Sequence, residues 1–192
     1  MLQLIEKLNN YRRQAKFDQR IIIAITIITA AIITLLAWVI RPNPKISQAA
    51  TELALTADNI RVFYQTRPGY WGLNNSIVIK NDLAAQGMIQ NGEVKNAFGK
   101  SVKIGQDADG NIVMPGSRSF VVAYHQLDKS ECTAMAAFKL NENASLSLLE
   151  MSLINAAGTT EFNWGGANKL PITKEEARKF CRENNTIVWR FE

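Results

Sequence analysis

Hydrophobic and polar residues follow three patterns along this chain. Residues 21–40, IIIAITIITAAIITLLAWVI, form an apolar run of 20 residues with no charge, Gly or Pro, and it stops at Arg41-Pro42. At 1.5 Å per residue a helix of this length spans about 30 Å, the thickness of a bilayer hydrocarbon core. The run therefore predicts a transmembrane helix over 21–40; a buried helix of a soluble domain rarely stays uncharged for so long. Within it Thr26, Ala30 and Thr34 recur every four residues, and Ala37 continues the stripe. Small residues at this spacing let helices approach closely, and Thr hydroxyls bond across to a neighbour or back to their own helix. The stripe predicts a packing face inside the membrane, with Ile and Leu turned to lipid.

The second pattern begins after a break. Pro42 has no N–H to donate, and Asn43, preceding Pro44, is pushed out of the α region, so Pro42 and Pro44 predict a kink. Asn43 then suits an N-cap with Pro44 at the first helical position. Ile46, Ala49, Ala50, Leu53, Ala57, Ile60 and Tyr64 fall at helical steps. They predict an amphipathic helix to about Gln65 that packs on the rest of the chain.

The third pattern consists of short segments broken by Gly and Asn. Residues 70–75 read as a loop and 76–86 as a short helix closed by Gly87. Residues 101–104 alternate as a strand, 107–111 turn at Asp109-Gly110, and 111–114 read as the return strand. A further strand is expected at 119–124 and a helix at 131–140, while 145–154 fits either element. Residues 162–168 read as loop. Thr173 with Glu176 forms a capping box, and Ile172 with Ala177 a hydrophobic staple, for a helix carrying Cys181. Residues 186–191 close the chain as a strand. The expected architecture is α+β: a transmembrane helix, a proline kink, then an amphipathic helix packed on strands. Its segments are 1–20, 21–40 and a head at 41–192, long enough for one core.

Charge sets the expected topology. Residues 1–20 hold Lys7, Arg12, Arg13, Lys16 and Arg20 against Glu6 and Asp18. The positive-inside rule places this segment in the cytoplasm and the head across the inner membrane, in the periplasm or beyond. Leu4, Leu8, Tyr11 and Ala15 fit either an amphipathic helix on the inner leaflet or a solvated basic tail. A cleaved secretory signal has a shorter apolar core, about 7–15 residues, and a small-residue cleavage site, so the run reads as a retained anchor. The pI of 9.3 does not indicate a nucleic-acid partner. Residues 1–45 hold seven of the 22 basic residues and two of the 17 acidic ones, which leaves 15 of each sign in residues 46–192. The excess is a topology signal and an anionic-lipid contact.

Cys132 and Cys181 both fall in the head. In an oxidising compartment they read most simply as one disulfide, worth roughly 4 kcal/mol for a loop of this length; two separate buried thiols are the alternative. Neither sits in a C-x-x-C pair. His125 is the only histidine, and no nucleophile elbow, phosphate-binding loop or dinucleotide fingerprint occurs. Asp107-Ala-Asp-Gly-Asn111 matches half of a calcium loop but lacks the later Glu, so a plain turn is expected. The expectation is no enzyme, no metal and no cofactor. A different class of function is a membrane-tethered binding module, using Tyr70-Trp71-Gly72 and Trp164-Gly165-Gly166 as a ligand surface.

Several stretches of the head carry a family likeness. They are Glu52-Leu-Ala-Leu-Thr-Ala-Asp-Asn-Ile-Arg61 running to Tyr64, Tyr70, Leu73-Asn74, and Leu83-Ala-Ala-Gln-Gly87-Met88-Ile89. Asn96-Ala-Phe98-Gly99-Lys-Ser-Val102, Ser119-Phe-Val-Val122, Cys132 and a late helix with Cys181 continue the set. Taken together, over residues 46–192, they resemble type IV pilins, and the type IVb, thin-pilus pilins in particular. The resemblance implies a long N-terminal helix that anchors the subunit in the inner membrane and later packs in a filament core. It also implies an antiparallel sheet across that helix, and Cys132 and Cys181 bounding a C-terminal region exposed on the filament. The implied function is a structural subunit, major or minor, of a type IVb pilus or an associated secretion or conjugation machine. The implied partners are copies of itself or related pilins, inner-membrane assembly machinery and membrane lipid. Family members carry a Gly before a cleaved bond and a Glu just inside the apolar run. Here the first Gly is Gly69, and alignment puts Ala15 before the cut and Arg20 at the Glu position, which predicts an unprocessed anchor.

Overall fold

The computed structural model describes residues 19, 21–34, 43–139 and 148–192. The chain divides into two units, Met1–Pro42 and Asn43–Glu192. In the first, residues 21–34 are helical. Each threonine there returns its hydroxyl to its own helix: Thr26 Oγ1 donates to the Ile22 carbonyl (2.8 Å), Thr29 to Ile25 (2.9 Å) and Thr34 to Ala30 (2.8 Å). Such back-bonding satisfies the hydroxyl without a partner helix. Among the described residues no helix is long and apolar enough to cross a membrane. Residues 35–40 of the expected span, with Ala37, lie outside the described residues, as do Pro42 and 1–18.

In the second unit, α1 (Pro44–Tyr64) begins as its sequence dictates: Asn43 Oδ1 accepts the Lys45 amide at 3.1 Å, and Pro44 occupies the first turn. Ala49, Ala50, Leu53, Ala57, Ile60 and Tyr64 are all buried. They lie against a five-stranded antiparallel sheet of order β3-β4-β7-β5-β6. Its strands are β3 (Val102–Gly105), β4 (Phe120–Leu127), β5 (Leu148–Asn155), β6 (Gly158–Asn163) and β7 (Asn185–Phe191). Along β4 the alternation divides the sheet's two faces. Phe120, Val122 and Tyr124 join the main core with α1, while Val121 and Ala123 form a small second cluster with Val188. A two-residue hairpin, β1 (Ile89–Gln90) and β2 (Glu93–Val94), stands apart.

Several expectations are corrected. The helix expected at 76–86 is α2 (Asn75–Lys80), which stops where Asp82 adopts φ +52°. Leu83, Ala84 and Ala85 are then buried as an irregular segment beside α1. Residues 111–114 form no return strand. The open edge of β3 is satisfied by the side chain of Asn75, whose Nδ2 donates to the Val102 carbonyl (2.8 Å) and whose Oδ1 accepts the Ile104 amide (2.7 Å). Val113 instead donates to the Leu73 carbonyl (3.0 Å). The segment that fitted either element is a strand, β5, and the start of the expected 162–168 loop is the end of β6. The helix expected at 131–140 is α3 (Lys129–Ala136), begun earlier because Asp128 makes a capping box with Glu131. α4 (Lys174–Phe180) has the expected Thr173/Glu176 box, but Cys181 is its extended C-cap and not part of the helix.

Candidate functional site

Two constructions give the head its character. The first is a line of polar side chains on α1. Glu52, only 5% exposed, accepts the Ala97 amide on Oε2 (2.7 Å) and Gln48 Nε2 on Oε1 (2.8 Å). One turn on, Thr56 Oγ1 accepts the Ala85 amide (3.0 Å) and donates to Met88 Sδ (3.2 Å). Next, Asn59 Nδ2 donates to the Leu83 carbonyl (3.2 Å). Spacings of four and three residues put all three on one flank of the helix, where they hold residues 83–97, the segment that carries the β1–β2 hairpin. From the sheet, the Tyr124 hydroxyl donates to the Ala49 carbonyl at 2.9 Å. Burial pushes the Glu52 carboxyl above its ordinary pKa, against the opposing effect of the Gln48 and Ala97 donors. Burial, and then the Glu52 charge, push the Tyr124 phenol well up.

The second construction surrounds the cystine. Cys132 on α3 and Cys181 at the end of α4 form a disulfide with Cα atoms 5.9 Å apart, and both residues are fully buried. Just beyond it Asn185, also fully buried, donates to the carbonyls of Leu127 (3.0 Å) and Arg182 and accepts the Arg182 amide (2.8 Å). Asn155 Nδ2 bridges Asn185 Oδ1 (3.2 Å) and the Phe180 carbonyl (3.0 Å). The two asparagines thus satisfy the backbone where α4 ends without a glycine cap. Lys100 pairs with Glu131 at 2.6 Å and ties the loop before β3 to α3. The cystine therefore encloses α3, β5, β6 and α4 in one unit fastened to β4 and β7.

The profile of the bundlin family matches residues 41–187, more than half of the chain. The chain belongs to the bundlin family. The fold agrees. TcpA, a type IV pilin from Vibrio cholerae El Tor biotype, is 15% identical and superposes with a TM-score of 0.51 over 77% of this chain and 99% of that one. The type IVb pilin of Salmonella typhi is 16% identical, with a TM-score of 0.51 over 74% of this chain and 97% of its own. At such identities the likeness establishes fold alone. No curated protein sequence matches the chain significantly. Family and fold make this protein a pilin, a structural subunit and not an enzyme.

In this bundlin-family pilin the other residues singled out by sequence have local tasks. His125 Nε2 meets the Ala108 carbonyl (2.9 Å) and Nδ1 meets Thr186 Oγ1 (3.2 Å), so the ring fastens the 107–111 turn to β7. A carbonyl only accepts, which puts the ring proton on Nε2. The Asp107 carboxylate is turned inward, onto the Asp109 and Asn111 amides and Asn111 Nδ2. Among the described residues no three acidic, His or Cys side chains gather as a metal site. Trp164 donates Nε1 to the Leu148 carbonyl (2.8 Å), whereas Trp71, 67% exposed, offers only its carbonyl to Tyr64. The polar line Glu52, Thr56, Asn59 was missed by reading α1 for its apolar stripe. Its signal was a carboxylate between Thr51 and Leu53 on the buried side of a helix.

Proposed function

We propose that this bundlin-family pilin is a subunit of a type IVb pilus or of a related secretion or conjugation machine, assembled through its N-terminal helix. Residues 21–40 anchor it in the inner membrane, with the basic segment 1–20 in the cytoplasm and the head in the periplasm until assembly. Thr26, Ala30, Thr34 and Ala37 form the face on which copies pack. The supporting observation is that the 20-residue apolar run leads directly into α1 of a head with the type IVb pilin fold. A second reading, a pilin-fold protein that stays anchored and serves such a machine, is favoured by Arg20 where the resemblance calls for an acid.

Single cysteines placed in the membrane run test the first reading, because the native pair is already bonded. Oxidation of Ala30→Cys in native membranes should give crosslinked copies, and Ile28→Cys, on the opposite side of the helix, should not. Equal crosslinking at both positions, or none at either, sinks packing through this face. Intact mass without reductant separates the two readings. A chain shortened near residue 15 marks a processed filament subunit, and a full-length chain marks a permanent anchor.

A further inference from the structure

Where α1 ends, the chain turns back and builds a charged cleft of about 400 Å³, lined by Arg61, Arg67, Arg118, Tyr64, Tyr70 and Glu192. Its walls are pinned to each other. The Tyr70 amide donates to the Ser117 carbonyl (3.1 Å), and at Gly69, with φ +145°, a Cβ would collide with that same carbonyl. Only glycine lets the segment bearing Arg67 lie this close to the segment bearing Arg118. The Arg67 amide donates to the Tyr64 carbonyl (2.8 Å), and its guanidinium lies over the rings of Phe63 (4.7 Å) and Tyr64 (4.9 Å). A guanidinium stacked by its face keeps its edge N–H donors for another partner.

The charges in the cleft are poorly matched. Arg61 forms one long ion pair, with Asp58 at 3.9 Å, and meets the Tyr70 hydroxyl, and among the described residues Arg67 and Arg118 join no ion pair. Beyond residue 45 the chain carries equal numbers of basic and acidic residues, yet three arginines meet here with Glu192 as the acidic residue of the lining. Glu192 and the long Asp58 contact offset the three arginines only in part, and two guanidinium groups without an ion pair favour a further anion. Planar guanidinium forks match the oxygens of phosphate, sulfate or carboxylate, and the volume is that of a small-ligand pocket.

We propose that this cleft binds an oxyanion, a phosphate-type group, held by Arg61 and Arg118 with Arg67 fixed at the wall and the Tyr70 hydroxyl beside it. The group comes from a soluble phosphorylated or free anion. The cleft sits at the C-terminal end of α1, about 30 Å along the helix from Asn43.

The test is calorimetric titration of inorganic phosphate into the full chain, disulfide intact, in neutral detergent at constant ionic strength, with chloride as control. One saturable site at roughly millimolar phosphate is expected. Arg61→Gln and Arg118→Gln should each weaken it about tenfold, the loss of one charge-assisted contact. Glu192→Gln should tighten it about threefold by removing a nearby like charge. Lys103→Gln, on β3, should leave it unchanged. The urea midpoint of each variant establishes that it folds. Phosphatidylglycerol added to the micelles examines the source: no displacement of phosphate supports the soluble ligand, and displacement overturns that assignment in favour of a headgroup. Heats equal to those of chloride, or undiminished binding in Arg118→Gln, overturn the site itself.

Discussion

Glu52 on α1 accepts the Ala97 amide at 2.7 Å across 45 residues of sequence, so a carboxylate inside the fold holds a loop to the helix that organises the head. Its raised pKa makes that contact depend on pH. Unfolded, the group titrates near 4.3; folded, burial moves the midpoint upward. Below the unfolded value both states are protonated and no cost arises. As pH rises through the folded midpoint the native state must ionise a buried group, and this contribution to stability is lost. Asp128, held low chiefly by the Glu131 amide, and Asp107, held low chiefly by the Asn111 side chain, act oppositely and weaken the fold as pH falls.

A difference measurement isolates Glu52. In Glu52→Gln the new amide oxygen keeps the Ala97 amide, and a flipped Gln48 accepts the new N–H. Urea unfolding of wild type and variant at several pH values should show the wild type losing stability relative to the variant from about pH 4 upward. A constant difference across that range would remove the titration argument.

The cystine predicts a different behaviour. Closing 49 residues restricts the unfolded chain, so Cys132→Ala/Cys181→Ala should cost roughly 4 kcal/mol on the chain-entropy model. Because both cysteines are fully buried, dithiothreitol should reduce the folded protein slowly and the urea-unfolded protein at once. Thiol quantification over time gives both rates, and fast reduction of the native state would mean the α3–α4 contact opens readily.

Much of the fold was visible in local pattern. Asn43-Pro44 with the stripe 46–64, and Thr173 with Glu176, carry their own start signals, and the structure uses both. The misses have physical causes. β1–β2 turns on Asn91-Gly92, both at positive φ, a hairpin signal set in runs of only two residues. β6 begins Gly-Thr-Thr-Glu and exposes most of its length, so no apolar alternation marks it. The expected strand 111–114 failed because the edge it needed was already taken by Asn75. Asn155 with Asn185, and Arg61 with Arg67 and Arg118, meet only in the folded chain, and no local spacing announces either group.

Asn75 gives the last prediction. Its amide imitates a neighbouring strand, giving one donor to the Val102 carbonyl and one acceptor to the Ile104 amide of β3. Asn75→Ala removes both at once and leaves the edge strand of the five-stranded sheet with unpaired groups. Two lost hydrogen bonds at a half-buried site should cost about 1–3 kcal/mol in urea unfolding. The exposed edge should also pair with other chains. Light scattering of the variant should therefore rise with concentration under conditions where the wild type stays constant. Asn75→Asp separates the two roles of the side chain, because a carboxylate still accepts the Ile104 amide but cannot donate to Val102. It should fall between wild type and Asn75→Ala in stability. An aspartate variant no more stable than the alanine one would mean that the Val102 contact alone closes the edge.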